Sequence, residues 1–366
     1  MTKESASAFE RKIKEEENQL SELDDSSETP PSDIVAFNEL RSCADLLRMH
    51  KAGQLEIHPE FQRDVVWKNP AKTRFIDSLV KQLPIPSMCI SLDYNTNSRM
   101  MIDGLQRISS IIEFFTDPTW RLSDLEDIDP RIAGKTARQI EEEHYAVYSQ
   151  IENVVIPITV LRCDYSKKSH MNYLFTIFHR LNTGGTKLNN QEIRNCIYSG
   201  MFNAMLNDLA SEELVENLFG RSSYRFAIQE MFLRVFCFSE TVNRYNGKLA
   251  RYLNDYMDEN RSLEHKKLMQ KYNKIMRVVK LLYSEILGGS KIPSMSKATT
   301  EAVLVGIYLN IASLEKESPA MLRRRFEKLK KDRNFSVENL SENIASADKV
   351  KARIKTAKEI FSKNDQ

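Results

Sequence analysis

The chain has 366 residues, 41% hydrophobic and 28% charged, ordinary values for a folded protein of one large or two modest domains. Lys and Arg total 53 against 51 Asp and Glu, a formal charge of +2, so the total shows no strongly basic nucleic-acid binder, although opposite local runs can cancel. No run approaches the roughly 18 consecutive apolar residues of a membrane-spanning helix. The polar stretch Met1 to Glu28 lacks the core of a signal peptide. The five cysteines form no CxxC pair, which argues against a disulfide framework or structural zinc and for reduced thiols in the cytoplasm. Of the histidines only His265 lies beyond residue 179, too few there for an HNH-type metal nuclease.

In chain order, residues 4–23 read as a charged helix, and Asp24 to Pro31 as a linker. Residues 1–33 carry ten acids and four bases and are expected to form an acidic helical or mobile extension. A compact α/β unit over 34–165 should follow. Its expected elements are a short element and helix within Ile34–Met49, a short strand over Gln54–Ile57, and an amphipathic helix over 71–82. Pro84-Ile85-Pro86 then leads into a strand from Met88 to Leu92, with a returning strand from Arg99 to Ile102. Next come a helix opening at Asp103-Gly104, with Ile108, Ile111, Ile112 and Phe115 on one face, and a strand over 154–162. Residues 166–366 read as a helical lobe. Its first stripe is Met171, Leu174, Phe175 and Phe178, and further helices are expected near 201–217, 224–239, 247–258, 262–287, 297–315, 319–332 and 346–362. The predicted class is α+β, a small mixed sheet followed by helices.

Four constellations can carry chemistry. At Asp103-Gly104-Leu105-Gln106-Arg107 a strand runs through a glycine turn into a helix, whose free N–H groups can hold an anion. Gly104 permits close backbone approach, Arg107 can grip phosphate, Asp103 can hold Mg²⁺ or orient a water, and Gln106 can position that water. The simpler reading makes Asp103 an N-cap and Arg107 a surface charge. At Ile57 to Trp67, Gln62 and Arg63 offer donors beside aromatic residues. From Arg180 to Asn195, Arg180, Asn182, Thr183, Gly184, Gly185, Glu192, Arg194 and Asn195 crowd a polar loop between two helices. Its simpler reading is a capped helix–loop–helix. Finally, Arg323, Arg324, Arg325, Lys328, Lys330 and Lys331 form a basic run. It can meet a phosphate backbone, though such runs usually mean solvated faces.

The first three constellations together resemble the N-terminal domain of GmrSD-type restriction endonucleases. The family pattern is Ile-x-Pro-x-Tyr/Phe-Gln-Arg-x-x-x-Trp, Pro-Ile-Pro, Asp-Gly-Gln/Leu-Gln-Arg and Arg-Leu-Asn-Thr-Gly-Gly. Here these fall at residues 57–67, 84–86, 103–107 and 180–185, within a similarity over roughly 38–260. The resemblance implies a ParB/sulfiredoxin-like fold in which a Gly-x-x-Arg turn, here Gly104 and Arg107, binds nucleotide phosphates. It also implies possible nucleoside triphosphate hydrolysis at the segment written DGQQR in many members, where this chain has Leu105 for the first Gln. On that reading Arg63, Arg107 and Arg180 hold phosphates. Asp103 takes Mg²⁺ or water, and Gln62, Gln106 and Asn182 orient groups. The remaining polar residues of the third constellation, Glu192 and Arg194 included, complete the binding set. The implied setting is defence against phage DNA, with nucleotide and DNA as partners and a separate nuclease or defence-system chain supplying cutting. The alternatives are a non-enzymatic DNA-binding or adaptor protein, and a stand-alone nuclease in which Asp103 and Glu192 share a metal.

Overall fold

A computed structural model describes residues 30–57, 67–181, 188–220, 226–341 and 343–362. The chain is α+β, as the sequence predicts, and divides between Leu188 and Asn189 into two compact units.

The first unit is built on five strands, β1 (Val35–Ser42), β2 (Leu55–Glu56), β3 (Met88–Asp93), β4 (Arg99–Asp103) and β5 (Val155–Cys163), in the order β1-β5-β3-β4-β2. β1 is antiparallel to β5, β5 parallel to β3, β3 antiparallel to β4, and β4 parallel to β2. On one face lie α1 (Cys43–Lys51), α2 (Asn69–Val80), α3 (Leu105–Thr116), α4 (Ala137–Glu143) and α5 (Tyr145–Asn153). Their apolar stripes and the inward residues Ile156, Ile158 and Val160 form one core. In α2, Phe75, Ile76, Leu79 and Val80 are buried, the face expected from their spacing. In α3 the stripe sits one residue off expectation, because Phe114 takes the deepest position and Phe115 packs at its margin.

The other face is covered by α6 (Lys168–Leu181), whose Met171, Leu174, Phe175 and Phe178 are buried. Residues 168–181, read from sequence as the start of the helical lobe, therefore lie on the sheet. Their apolar stripe fits a sheet face as well as a helix, so periodicity alone could not choose. The start of α6 is pinned by buried His170. Its Nδ1 accepts the Asp164 N–H at 2.9 Å, and its Nε2 lies 2.8 Å from Asp33 Oδ1. Hydrogen bonds from Lys167 and His170 hold the Asp33 carboxyl down at about 2.

The second unit is helical: α7 (Asn190–Ile197), α8 (Met201–Ala210), α9 (Glu213–Phe219), α10 (Ala227–Thr241), α11 (Leu249–Asn260), α12 (His265–Lys280), α13 (Lys297–Leu314), α14 (Pro319–Lys331), α15 (Val337–Ser341) and α16 (Ala347–Ile360). The single helix expected near 201–217 is two, because the turn at Ser211-Glu212 ends α8. The end of the expected 262–287 helix is a π turn, Leu281–Ile286. α13 is buried nearly all round and is the unit's central rod. α13 and α16 approach so closely at Gly306 that a Cβ there would lie 2.6 Å from Phe361 and 2.8 Å from the Ala357 carbonyl.

Candidate functional site

The described part of the site is the junction of β4 with α3. Gly104 is the N-cap of α3 with φ 97° and ψ 15°, so the chain turns here through the left-handed region. A Cβ at Gly104 would lie 2.6 Å from Met88 Cγ at the start of β3, so glycine is required by space as well as by torsion. Among the described residues no side chain caps α3. The sequence expectation of Asp103 as N-cap therefore gives way to a bare helix start, with the Ile108 N–H closing the first turn on the Gly104 carbonyl at 2.9 Å.

Asp103 and Arg107 stand one helical turn apart, with Arg107 Nη2 donating to Asp103 Oδ2 at 3.0 Å. Arg107 is not the free surface charge of the simpler reading. Its Nη1 donates to the Pro86 carbonyl and its Nη2 to the Ser87 carbonyl at 3.4 Å. Burial pushes the Arg107 guanidinium below its ordinary value, and the charge of Asp103 opposes that shift. The Asp103 side chain is 37% exposed, and its Oδ1 makes no hydrogen bond among the described residues. Beside it, burial and then the Asp103 charge push the Cys89 thiol up to about 12, so this cysteine is no nucleophile at neutral pH. Gln106 Oε1 accepts the Trp67 N–H at 2.9 Å.

These bonds join three separate sequence segments. Arg107 ties the Pro-Ile-Pro segment to the helix start, and Gln106 ties in the end of the 57–67 box. Arg180 is exposed near the C-terminal end of α6. Only four residues link β5 to α6, so α6 runs back along the sheet and brings its C-terminal end toward the edge where β4 ends at Asp103. Gln62, Arg63, Asn182, Thr183, Gly184 and Gly185 lie outside the described residues.

Glu192 and Arg194 are in the helical unit, and both are buried. Glu192 closes a capping box. Its Oε2 accepts the Asn189 N–H at 2.7 Å, while Asn189 Oδ1 accepts the Glu192 N–H at 2.9 Å. Arg194 donates to Asn254 Oδ1 at 2.8 Å, Gln191 Oε1 at 3.1 Å and Glu230 Oε2 at 3.4 Å. Glu230 also accepts from Arg234, which reaches Glu301. Burial alone would raise the Glu230 carboxyl, but Arg234 and Arg194 outweigh it and hold the group at about 2. In this structure Glu192 and Arg194 are framework residues.

The basic run divides in the same way. Arg325 is buried, donating to Glu317 at 2.8 and 3.0 Å and to the Ile360 carbonyl at 2.6 Å, so it is not a surface contact. Arg323 donates to the Glu285 carbonyl at 3.1 Å, and Lys330 pairs with Glu327 at 2.7 Å. Arg324, Lys328 and Lys331 are exposed at i, i+4 and i+7 of α14, one stripe.

Sequence reasoning missed Met88, which walls Gly104, and the Pro86 and Ser87 carbonyls that seat Arg107. It also missed the ion pair of Asp103 with Arg107, although their i, i+4 spacing permits one. Among the described residues no group of three His, Cys, Asp or Glu gathers for a metal, and no helix is long and apolar enough to cross a membrane.

Fold and site define an α+β domain organised around a strand, glycine turn and helix junction. Residues 43–199 match the family described as GmrSD restriction endonuclease, N-terminal domain. No curated protein and no solved structure matches the chain.

Proposed function

We propose that this chain acts in restriction-type defence against foreign DNA, and that its sheet unit binds a nucleoside triphosphate at the start of α3. The observation that carries the reading is the uncapped helix start at Gly104, where Met88 leaves no room for a side chain. Backbone N–H groups and the helix dipole there favour a phosphate. Arg107, anchored by Asp103, Pro86 and Ser87, holds the approach in shape. This reading extends the family's ParB/sulfiredoxin-like likeness, with Gly104 and Arg107 at its phosphate-binding positions.

Mg²⁺ fits this donor set in one way. The open Oδ1 of Asp103 offers a single protein ligand, and Mg²⁺ is commonly held by one or two carboxylates with phosphate oxygens and water completing its shell. Bound so, it would neutralise charge on the phosphates. Asp103 would hold it, and Gln106, already fixed by Trp67, would keep its amide group at the helix start to orient a water for hydrolysis.

The test is equilibrium binding and hydrolysis with ATP and GTP, with and without Mg²⁺. The wild type should bind, Asp103→Ala should lose the Mg²⁺ dependence, and Arg107→Ala should weaken binding at least tenfold. Equal binding by wild type and both variants refutes the reading.

A second reading rests on the exposed stripe of Arg324, Lys328 and Lys331, which we propose contacts DNA phosphates without base readout. It makes the chain a DNA-binding or adaptor component whose cutting is done by a separate nuclease.

A further inference from the structure

β1 is an edge strand of eight residues, with no strand on its far side among the described residues. Its only protection of the kind usual at such an edge is one pair of charged residues. It has no proline and no lysine, and Val35, Phe37 and Leu40 are exposed, Leu40 by 71%. Its two charged residues, Glu39 and Arg41, stand opposite the inward residues Ile158 and Ile156 and so share the face that carries α1, where Arg41 pairs with Asp45 at 2.7 Å.

The ladder fixes which backbone groups face outward. The Cys43 N–H bonds the Val154 carbonyl at 3.1 Å, one step beyond the Ser42–Val155 pair. Hydrogen-bonded pairs alternate in an antiparallel ladder, so the odd-numbered residues of β1 bond β5, and Ala36, Asn38, Leu40 and Ser42 turn N–H and C=O away from it. Pro157, which has no N–H to give, sits opposite Leu40 as this phase requires.

We infer that this edge pairs with β1 of a second copy of this chain, antiparallel about a two-fold axis at Leu40. That register is self-complementary. Leu40 meets Leu40 and exchanges both backbone bonds, and Ser42 N–H meets the Asn38 carbonyl on either side. On the helix face, Arg41 of each copy stands directly opposite Glu39 of the other. Within one copy Arg41 Nη2 donates to Glu39 Oε2 at 2.7 Å, and the two side chains still leave an acceptor and a donor unused, since Glu39 Oε1 and Arg41 Nε make no hydrogen bond among the described residues. A small swing of either side chain on pairing gives each the other's free group. A register centred on Glu39 would set two like charges together, and one centred on Asn38 would put Phe37 against Glu39. The two sheets then join into one of ten strands.

The test is light scattering of the full chain across a concentration series, with three variants. The wild type should reach twice the 42.4 kDa chain mass. Leu40→Pro should stay at the monomer mass with an unchanged circular dichroism spectrum, because the N–H it removes is not used within the fold. Leu40→Cys should oxidise to a covalent dimer and Val35→Cys should not, because the register places Val35 away from its own copy. All five native cysteines are buried and should not compete. The proposal is overturned by a wild type that stays monomeric, by a dimer that Leu40→Pro leaves intact, or by equal cross-linking at 35 and 40. A monomer that dimerises only after residues 1–29 are deleted would assign the edge to the chain's own N-terminal segment, and would equally overturn it.

Discussion

Two arginine–carboxylate arrangements, one in each unit, use the same chemistry to opposite ends. Arg194, Glu230, Arg234 and Glu301 are each at most 7% exposed and satisfy one another inside the helical unit. Asp103 and Arg107 form a pair at the surface of the sheet unit, with one carboxylate oxygen still open. A buried network of this kind holds helices together, because its charges are already paired with one another inside the unit. A half-open pair beside a bare helix start can hold a loop and still accept a ligand. Burial, more than residue type, separates framework from site.

The comparison breaks first, and hardest, in the sealed network. Arg194→Ala removes a cation from beside buried Glu230 and Asn254 and should cost about 3–5 kcal/mol, read as an earlier denaturation transition of the helical unit. An effect under 1 kcal/mol would mean that water enters the network.

The same network sets a pH dependence. Folded Glu230 titrates at about 2 against an ordinary 4.5. Between those values the unfolded chain takes up the proton and the folded chain does not, so acid favours unfolding. The contribution is fully present above about pH 4.5 and is lost as pH falls toward 2. Melting temperature against pH should fall through this window, and Glu230→Gln should flatten the fall.

At the open pair the effects are smaller. Gly104→Ala meets Met88 and an unfavourable torsion and should cost about 2 kcal/mol. Adding Met88→Ala should relieve the contact but leave the torsional part, which a double-mutant denaturation cycle separates. Gln106→Leu loses the acceptor for the Trp67 N–H and should cost about 1 kcal/mol. Hydrogen exchange should then quicken at Trp67 but not on α13. Smallest of all, the triple change Arg324→Ala, Lys328→Ala, Lys331→Ala should leave stability within about 0.5 kcal/mol. If the stripe touches DNA, that change should still reduce the salt slope of binding by up to about 3.

Most elements were legible because their signals are local. The strands at Met88–Asp93 and Arg99–Asp103, the turn between them and the helix after Gly104 follow from short apolar runs, the Pro-Ile-Pro entry, turn residues and a glycine. α4 and α5 went unread because they are short, and their acid-rich sequence through Glu141, Glu142 and Glu143 buries only Ile140, Val147 and Ile151. The segment proposed as the site, Asp103 to Arg107, stood out in the sequence as a glycine turn between a strand and a helix. Arg325 misled because a base in a basic run looks solvated until its partners are known, and Glu317 and Ile360 reach it only in the folded chain. Arg194 misled for the same reason, since Glu230 and Asn254 lie 36 and 60 positions away.

The π turn that closes α12 has a consequence for how that helix is shared. A π turn closes i→i+5 bonds and so rotates less per residue than an α-helix, which sets the side chains of Leu281–Ile286 back in azimuth from where a continued α-helix would put them. Up to Lys280, α12 packs against α8 and α13, while Leu281–Ile286 meets α14. The π turn acts as a phase shifter, by which one continuous rod presents its apolar stripe to two sets of neighbours lying in different directions.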